Sequence, residues 1–322
     1  MSVAPTRQVR IRAMRYEAQG VISVELAPLG PDAPLAPFTA GAHIDLHLPN
    51  GLIRSYSLLN HQGDASRYLI GVHLHPASRG GSGHVHAAMR PGDVITIAGP
   101  RNHFELAEDA QHCVFIAGGI GITPLLSMMR RLNELQRPWE LHYAARTRAQ
   151  AAFLDEVREL SAQGRGQVTI ALDGEPGGTS LDLAQIASRA PAHAHLYCCG
   201  PVGMLEAFEA ATAGLPPAHV HTEYFAPRHK PQTSGGFEVR CARSAKSVQV
   251  RAGQTILHAL LDEGVQVPYA CEEGICGTCE VPVLQGSPDH RDSVLTQQEK
   301  DAGKTMMVCC SGAKSEVLVL DI

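Results

Sequence analysis

The sequence predicts a multidomain chain of three blocks: an antiparallel β-barrel, an α/β domain on a parallel sheet, and a small α+β domain. Three observations predict it. The first hundred residues are short strand-like runs separated by turn residues. The middle of the chain alternates strand and helix patterns. The last part gathers three of the nine cysteines into the nine residues CEEGICGTC, 271–279. A chain of 322 residues, 44% hydrophobic and 18% charged, has the composition of packed domains rather than of a disordered chain.

The first block, 1–107, carries VRIRAMRY, VISVELAPL, HIDLHLP, LIRSYSLL, YLIGVHLH and DVITIAG. Six short strands at this spacing suggest a small antiparallel barrel or sandwich. Asn50-Gly51 between two of them signals a type I′ hairpin. The second block, 108–228, reads HCVFIAGG (strand), TPLLSMMRRLNELQ (helix), WELHYAAR (strand) and AQAAFLDEVRELSAQ (helix). VTIALDG, LDLAQIASR, AHLYCCG and GMLEAFEAATAG repeat the alternation. Such alternation predicts a parallel sheet covered on both faces. HKPQTSGG, 229–236, has no apolar periodicity and reads as a linker. The third block, 237–322, opens with a hairpin (FEVRCARS, SVQVRAG). It continues through one helix (TILHALLDEG) to the cysteine loop, and ends in MMVCC and EVLVLD.

Several function classes drop out. A net charge of −5 gives no electrostatic case for nucleic-acid binding. No run reaches the ~18 apolar residues of a membrane span, and the N-terminal stretch lacks the apolar core of a secretory signal. The expectation is a cytoplasmic protein in which clustered cysteines mean metal or redox chemistry rather than disulfides.

The cysteine loop has the spacing C-x4-C-x2-C. Cys309 and Cys310 follow at a distance, which is the plant-type spacing for a [2Fe–2S] cluster. Two irons need four converging thiolates, and Gly274 and Gly277 let a tight loop wrap the inorganic sulfides. Structural zinc is the competing reading, but it usually takes paired C-x2-C knuckles, and only Cys276–Cys279 forms one. The fourth ligand is Cys309 or Cys310.

Residues 237–322 resemble a plant-type ferredoxin domain of β-grasp form. The runs CEEGICGTC, LQGSPDHRDSVLT and MMVCCSGAKS are similar to the C-terminal domain of the phthalate dioxygenase reductase family. The resemblance implies Cys271, Cys276, Cys279 and Cys309 as cluster ligands. Gly312 stands where that family has an arginine.

GGIGITP, 118–124, follows a strand and opens a helix, so its amides and the helix dipole can face a phosphate. CCGPVGML, 198–205, does the same at another strand end, and parallel sheets bind ligands at the carboxyl ends of their strands. Together they resemble the nucleotide domain of the ferredoxin–NADP⁺ reductase superfamily. That implies Gly118, Gly119, Gly121, Thr123 and Pro124 at the pyrophosphate, and Cys199, Gly200 and Pro201 near the nicotinamide. Cys113, Cys198 and Cys241 read as core. Arg146, with Arg148 nearby, falls where the adenosine ribose lies and suits a 2′-phosphate, whereas the closer family implies NADH. NADH is the expectation.

RSYSLLN, 54–60, resembles the R-x-Y-[ST] signature of flavin-binding barrels. It implies Arg54 on a phosphate, Tyr56 against the isoalloxazine and Ser57 near flavin N5. SRGGSG, 78–83, adds a phosphate cradle of Arg79, Gly80, Gly81 and Ser82. The near family carries FMN. Phe225 matches an aromatic that covers the flavin.

The resemblance spans nearly the whole chain and implies an NADH-dependent oxidoreductase. Hydride passes to FMN with Ser57, Cys199 and Phe225 at the reacting centre, and single electrons leave through the cluster. The implied acceptor is a Rieske-type oxygenase acting on an aromatic or similar small substrate, with the reductase a monomer. A stand-alone reductase with another acceptor and a zinc scaffold are the alternatives. The third block holds eight Lys and Arg against twelve Asp and Glu, a balance of −4, which suits docking to a basic patch. Electron delivery to the acceptor should therefore slow as ionic strength rises; stopped-flow rates unchanged by salt would remove the electrostatic docking idea.

Overall fold

The computed structural model describes residues 6–30, 34–76 and 78–322. The chain divides into two compact units, Thr6–Phe225 and Ala226–Ile322. Among the described residues no helix is long and apolar enough to cross a membrane.

The first unit begins with six antiparallel strands: β1 (Thr6–Ala18), β2 (Val21–Pro28), β3 (His43–His47), β4 (Ile53–Ser57), β5 (Tyr68–His73) and β6 (Val94–Arg101). Their order is β4-β3-β6-β1-β2-β5. An antiparallel bridge between Leu58 and Ile70 joins the two ends. Leu59 N donates to Leu69 O there, at 2.9 Å. The sheet is thus closed into a barrel, which removes its edges. Val9, Ile11, Val24, Leu26, Ile44, Leu46, Ile70 and Val72 fill it. Helix α1 (Gly81–Ala88) lies after β5.

The hairpin from β3 to β4 is not type I′. Only Gly51 is left-handed (φ 82), and Asn50 is not. Gly51 N donates to Leu48 O and Leu48 N to Leu52 O. This is a type I turn over Pro49-Asn50 followed by a left-handed glycine. Pro49 fixes its own φ near −65°, which suits the first central position of a type I turn.

The parallel sheet follows: β7 (Cys113–Gly118), α2 (Ile122–Glu134), β8 (Trp139–Ala145), α3 (Leu154–Gln163), β9 (Gly166–Leu172), α4 (Leu183–Arg189), β10 (His195–Cys199), α5 (Val202–Thr212) and β11 (Val220–Glu223). The order is β11-β10-β7-β8-β9, and every pairing is parallel. Helix α2 buries Ile122, Leu125, Leu126, Met128, Met129 and Leu132. At about 1.5–3 kcal/mol per fully buried apolar side chain, this face holds the helix against the sheet.

Helix α3 starts five residues later than the pattern AQAAFLDEVRELSAQ suggests. Phe153 is left-handed (φ 60) and buried. Its ring lies beside Gly71 of β5, where an added Cβ would sit 3.2 Å from the ring and 2.7 Å from Thr123 Cγ2. Burial of that ring where the barrel meets the parallel sheet outweighs the cost of a left-handed aromatic residue, roughly 1–2 kcal/mol.

The second unit holds β12 (Phe237–Cys241), β13 (Lys246–Val250), α6 (Ile256–Asp262), β14 (Glu280–Gln285), β15 (Pro288–Asp289), α7 (Gln297–Ala302), β16 (Thr305–Met307), β17 (Gly312–Ala313) and β18 (Val317–Leu320). Five strands order as β13-β12-β18-β14-β16, with β12 and β18 parallel. α6 is capped by the Thr255 hydroxyl, which accepts from His258 N. β14 and α7 are additions to the sequence reading; a Thr296/Glu299 capping box starts α7. The strand expected over MMVCC ends at Met307, so Cys309 and Cys310 lie in a turn. Residues before β12 are irregular but fastened. Gln232 N donates to Cys310 O at 2.7 Å, and Gly236 N to Val250 O at 2.9 Å.

Candidate cofactor sites

The cysteine loop is built from backbone that ordinary residues avoid. Glu272 (φ 58), Gly274 (φ 70) and Gly277 (φ 72) are all left-handed within six residues. Repeated reversals of this kind turn successive amides toward one side. Glu273 N donates to Cys271 Sγ at 3.3 Å. Cys271 lies in hydrogen-bonding reach of Cys276 and Cys309, and Cys309 in reach of Cys279. The structure thus brings together the four sulfurs that the resemblance selected. Hydrogen bonds from Cys276 and Cys309 hold the Cys271 thiol well below its ordinary range, with help from the amides of Glu273 and Ile275. All four cysteines are buried.

Cys310 is placed differently. Its sulfur lies 3.8 Å from Met307 O and 3.9 Å from Ser311 Oγ. A Cβ on Gly274 would sit 2.4 Å from it. Cys310 therefore backs the loop, and Gly274 is required twice, by its φ and by this contact. Among the described residues no group of three or more His, Cys, Asp or Glu is arranged about a single ion. A two-iron cluster makes no such demand, because inorganic sulfide completes the coordination of each iron.

The two glycine-rich turns of the parallel sheet interlock. A Cβ on Gly121 would lie 2.1 Å from Cys199 O, and one on Gly200 would lie 3.1 Å from Gly118 Cα. A Cβ on Gly118 would meet Pro201 Cδ at 2.5 Å. Adjacent strands β7 and β10 end here, with Ala117 opposite Cys199. Thr123 and Pro124 are buried in the first turn of α2, where the Thr123 hydroxyl donates to Ile120 O at 3.0 Å. Gly119 is left-handed, with open space where a Cβ would be. Arg146 stands further out, exposed, with NH1 3.8 Å from Asp173 Oδ1.

Cys199 has a neighbour that the sequence reading missed. Glu223 of β11 pairs with it in register, and Cys199 Sγ donates to Glu223 Oε2 at 4.0 Å. The Glu223 carboxyl keeps some open surface, yet desolvation in this crevice pushes it from 4.5 up to about 8. Burial also pushes the Cys199 thiol up. Only the pairing of β10 with β11 could have signalled this contact, since the two residues are far apart in sequence.

In the barrel, Arg54 lies over α1. A Cβ on Gly81 would come within 2.8 Å of Arg54 Cγ and Nε, so only glycine lets the guanidinium approach the helix start. Gly80 is left-handed and gives that helix no side-chain cap. Ser82 Oγ donates to Ser78 Oγ at 3.1 Å, and Ser78 Oγ accepts from Gly83 N at 3.2 Å. Arg79 is exposed. Tyr56 is half-buried, and desolvation pushes its phenol up to about 12. Ser57 is buried, and its hydroxyl has no hydrogen-bond partner among the described residues. An unsatisfied buried hydroxyl at the end of this strand fits a bound polar group. Phe225, just past β11, is 37% exposed.

Residues 239–314 match the family of 2Fe-2S iron-sulfur cluster binding domains, and residues 115–210 match the oxidoreductase NAD-binding domain. The chain is 54% identical to the phenoxybenzoate dioxygenase subunit beta of Ectopseudomonas oleovorans, with both chains fully covered. It aligns with the solved phthalate dioxygenase reductase at 36% identity and a TM-score of 0.71, over 98% of each chain. The chain belongs to the phthalate dioxygenase reductase family. It is an NADH-dependent oxidoreductase with a [2Fe–2S] domain, and its electrons go to an oxygenase component. An intact type IV self-sufficient cytochrome P450 monooxygenase is also similar, at 36% identity and a TM-score of 0.89. That match covers 98% of this chain and 41% of the P450, so this chain spans about two-fifths of its length.

Two measurements probe this crevice. Gly121→Ala should push the two glycine turns apart and raise the KM for NADH by ~10-fold or more, since a shift of about 1 Å costs on the order of 10²-fold. Cofactor absorption should stay as in the unsubstituted protein. For Glu223, the folded pKa lies above the unfolded one, so its stabilising share is full below pH 4.5 and is lost as pH rises through about 8. Glu223→Gln should therefore melt at increasingly higher temperature than the parent between about pH 5 and 9.

Proposed function

We propose that this chain is the reductase of a Rieske-type oxygenase system, carrying FMN as well as the [2Fe–2S] cluster. The observation that carries this reading is the convergence of Cys271, Cys276, Cys279 and Cys309 behind a chain that also holds two interlocked glycine turns. The bound groups supply the redox chemistry, taking two electrons together from NADH and releasing them singly.

The chain's own residues then do the following. Cys271, Cys276, Cys279 and Cys309 are the cluster thiolates. Arg54, with Arg79 and the amides of Gly80, Gly81 and Ser82, binds the FMN phosphate. Tyr56 and Phe225 flank the ring, and the Ser57 hydroxyl bonds near N5. Gly118, Gly119, Gly121, Thr123 and Pro124 receive the pyrophosphate of NADH. Arg146 reaches the adenosine ribose. Cys199, Gly200 and Pro201 would seat the nicotinamide, with the Cys199 thiol held neutral by burial. The domains run 1–107 for FMN, 108–228 for NADH and 237–322 for the cluster, with 229–236 between them. The chain acts as a cytoplasmic monomer, and the substrate of its oxygenase is an aromatic or similar small molecule.

The likeness to the P450 favours one second reading, in which the acceptor is a haem oxygenase rather than a Rieske centre. Reduction of each oxygenase type by the purified chain separates the two.

Anaerobic absorption spectra before and after NADH, with NADPH in parallel, test the proposal. Flavin bands over a broad cluster shoulder, bleached by NADH and far more slowly by NADPH, are expected. A colourless zinc protein would refute it. Cys309→Ser should lose the cluster shoulder while keeping flavin bands, and Cys310→Ser should keep both. The reverse result would move the fourth ligand to Cys310.

A further inference from the structure

The two strands beside the glycine turns end in a matched set of charges. Gly118, at the end of β7, lies opposite Ala144 of β8, and Ala144 lies opposite Ala171 of β9. Strands in a sheet stand about 4.8 Å apart, so the loop after β9 lies roughly 10 Å from the glycine turns, within the span of one nucleotide. Arg146 and Arg148 follow β8, and Asp173 and Glu175 follow β9.

The two loops are fastened to each other through the backbone. Asp173 N donates to Ala145 O at 3.3 Å, and Gly174 N donates to Arg146 O at 2.8 Å. A Cβ on Gly174 would lie 2.6 Å from Arg146 O, so a side chain there would force the loops apart. Gly178 N donates to Glu175 O at 2.8 Å and closes the turn that carries Glu175. Both acids then engage the arginine loop. Asp173 Oδ1 lies 3.8 Å from Arg146 NH1. Glu175 Oε1 accepts from Arg148 N at 2.7 Å, although the two residues are 27 apart in sequence. A phosphate oxygen would accept from such an amide, and here a carboxylate of the chain already holds it. Two arginines against two acids leave this rim with no surplus of positive charge.

We propose that Glu175 and Asp173 set the preference for NADH over NADPH by opposing a phosphate on the 2′ position of the adenosine ribose, a reading that rests on the nucleotide site proposed above. NADH presents a 2′-hydroxyl, which can donate to a carboxylate and brings no charge. NADPH presents an anion in its place, which must displace Glu175 from Arg148 N or sit beside both acids. A repulsive element of this kind acts against the wrong ligand without weakening the right one. Arg146, which suits a 2′-phosphate by residue type, is offset by Asp173.

Isothermal titration calorimetry of the oxidised full-length holoprotein with ADP-ribose and with its 2′-phosphate tests this. The two probes differ only in that phosphate, and neither carries a nicotinamide. The unsubstituted protein should bind the 2′-phosphate probe ~10-fold or more weakly than ADP-ribose. Glu175→Gln and Asp173→Asn each keep an oxygen acceptor and lose the charge. Each should cut that ratio by about 3-fold or more, and the double variant should bring it near one. The ratio in the unsubstituted protein should also shrink as salt rises, since exposed charges are screened. That series needs no variant, so it decides the matter if the double variant does not fold. Equal binding of the two probes by the unsubstituted protein, a ratio unmoved by salt, or one unmoved in the folded double variant overturns the role of the two acids. No binding of ADP-ribose by the unsubstituted protein overturns the nucleotide site itself, and is seen before any variant is made.

Discussion

Two backbones touch at the centre of the first unit, and the rest of that unit follows from their contact. Gly121 meets the carbonyl of Cys199 at a distance that excludes a side chain, and Gly200 meets Gly118 at one that would be tight for any Cβ. Such an approach is possible only where two parallel strands end side by side, as β7 and β10 do. The parallel order requires helical crossovers, and those crossovers cover the sheet's faces. The contact also sets the two glycine turns side by side, next to the point where Cys199 Sγ lies 4.0 Å from Glu223 Oε2. Glycine is thus doing a positional task here rather than a flexible one, since Gly121 and Gly200 have ordinary negative φ.

The second unit meets a different demand with a different device. Its loop must turn several times in nine residues, and it does so with three left-handed positions, one of them a glutamate. A left-handed non-glycine residue is costly, by about 1–3 kcal/mol, and persists only where its surroundings hold it. Those surroundings are identifiable. Cys310 fills the space behind Gly274, Ser293 N donates to Gly274 O at 2.9 Å, and α6 and β14 bury the apolar flank. The sulfurs are thus organised by packing from outside the loop, and the loop's own sequence states only how many there are.

What the sequence made legible follows the same division. Period and punctuation gave the barrel, the parallel sheet and the hairpin of the second unit, because each depends on local alternation and on glycine. Cys271, Cys276 and Cys279 were legible as one group because the loop gathers them in sequence. Spacing alone left Cys309 and Cys310 both open, and the resemblance selected Cys309; in the structure Cys309 lies in reach of Cys271 and Cys279, while Cys310 packs behind Gly274. Glu223 was invisible because strand pairing, not spacing, brings it to Cys199. Pro49 overrode the turn that Asn50-Gly51 signalled, and Phe153 overrode the helical pattern around it. In both cases one stiff or bulky side chain outvoted a local motif. α7 was legible in principle, through Thr296 and Glu299 as a capping box, but its six residues bury nothing and leave no apolar stripe.

The acceptor is the part of the function that the core does not encode. This chain aligns over 98% of its length both with a separate reductase and with one part of a larger P450 chain, at 36% identity in each case. Residues that hold nucleotide, flavin and cluster answer to the chemistry of NADH and of single-electron release, and that chemistry is the same for either acceptor. Discrimination between acceptors must therefore lie where the chains differ in surface. Residues 237–322 carry twelve Asp and Glu against eight Lys and Arg. Long-range attraction of this kind raises encounter rates and rejects like-charged partners without needing a deep interface. A reductase that must bind, deliver one electron and leave is served by that arrangement, because tight apolar docking would slow its release.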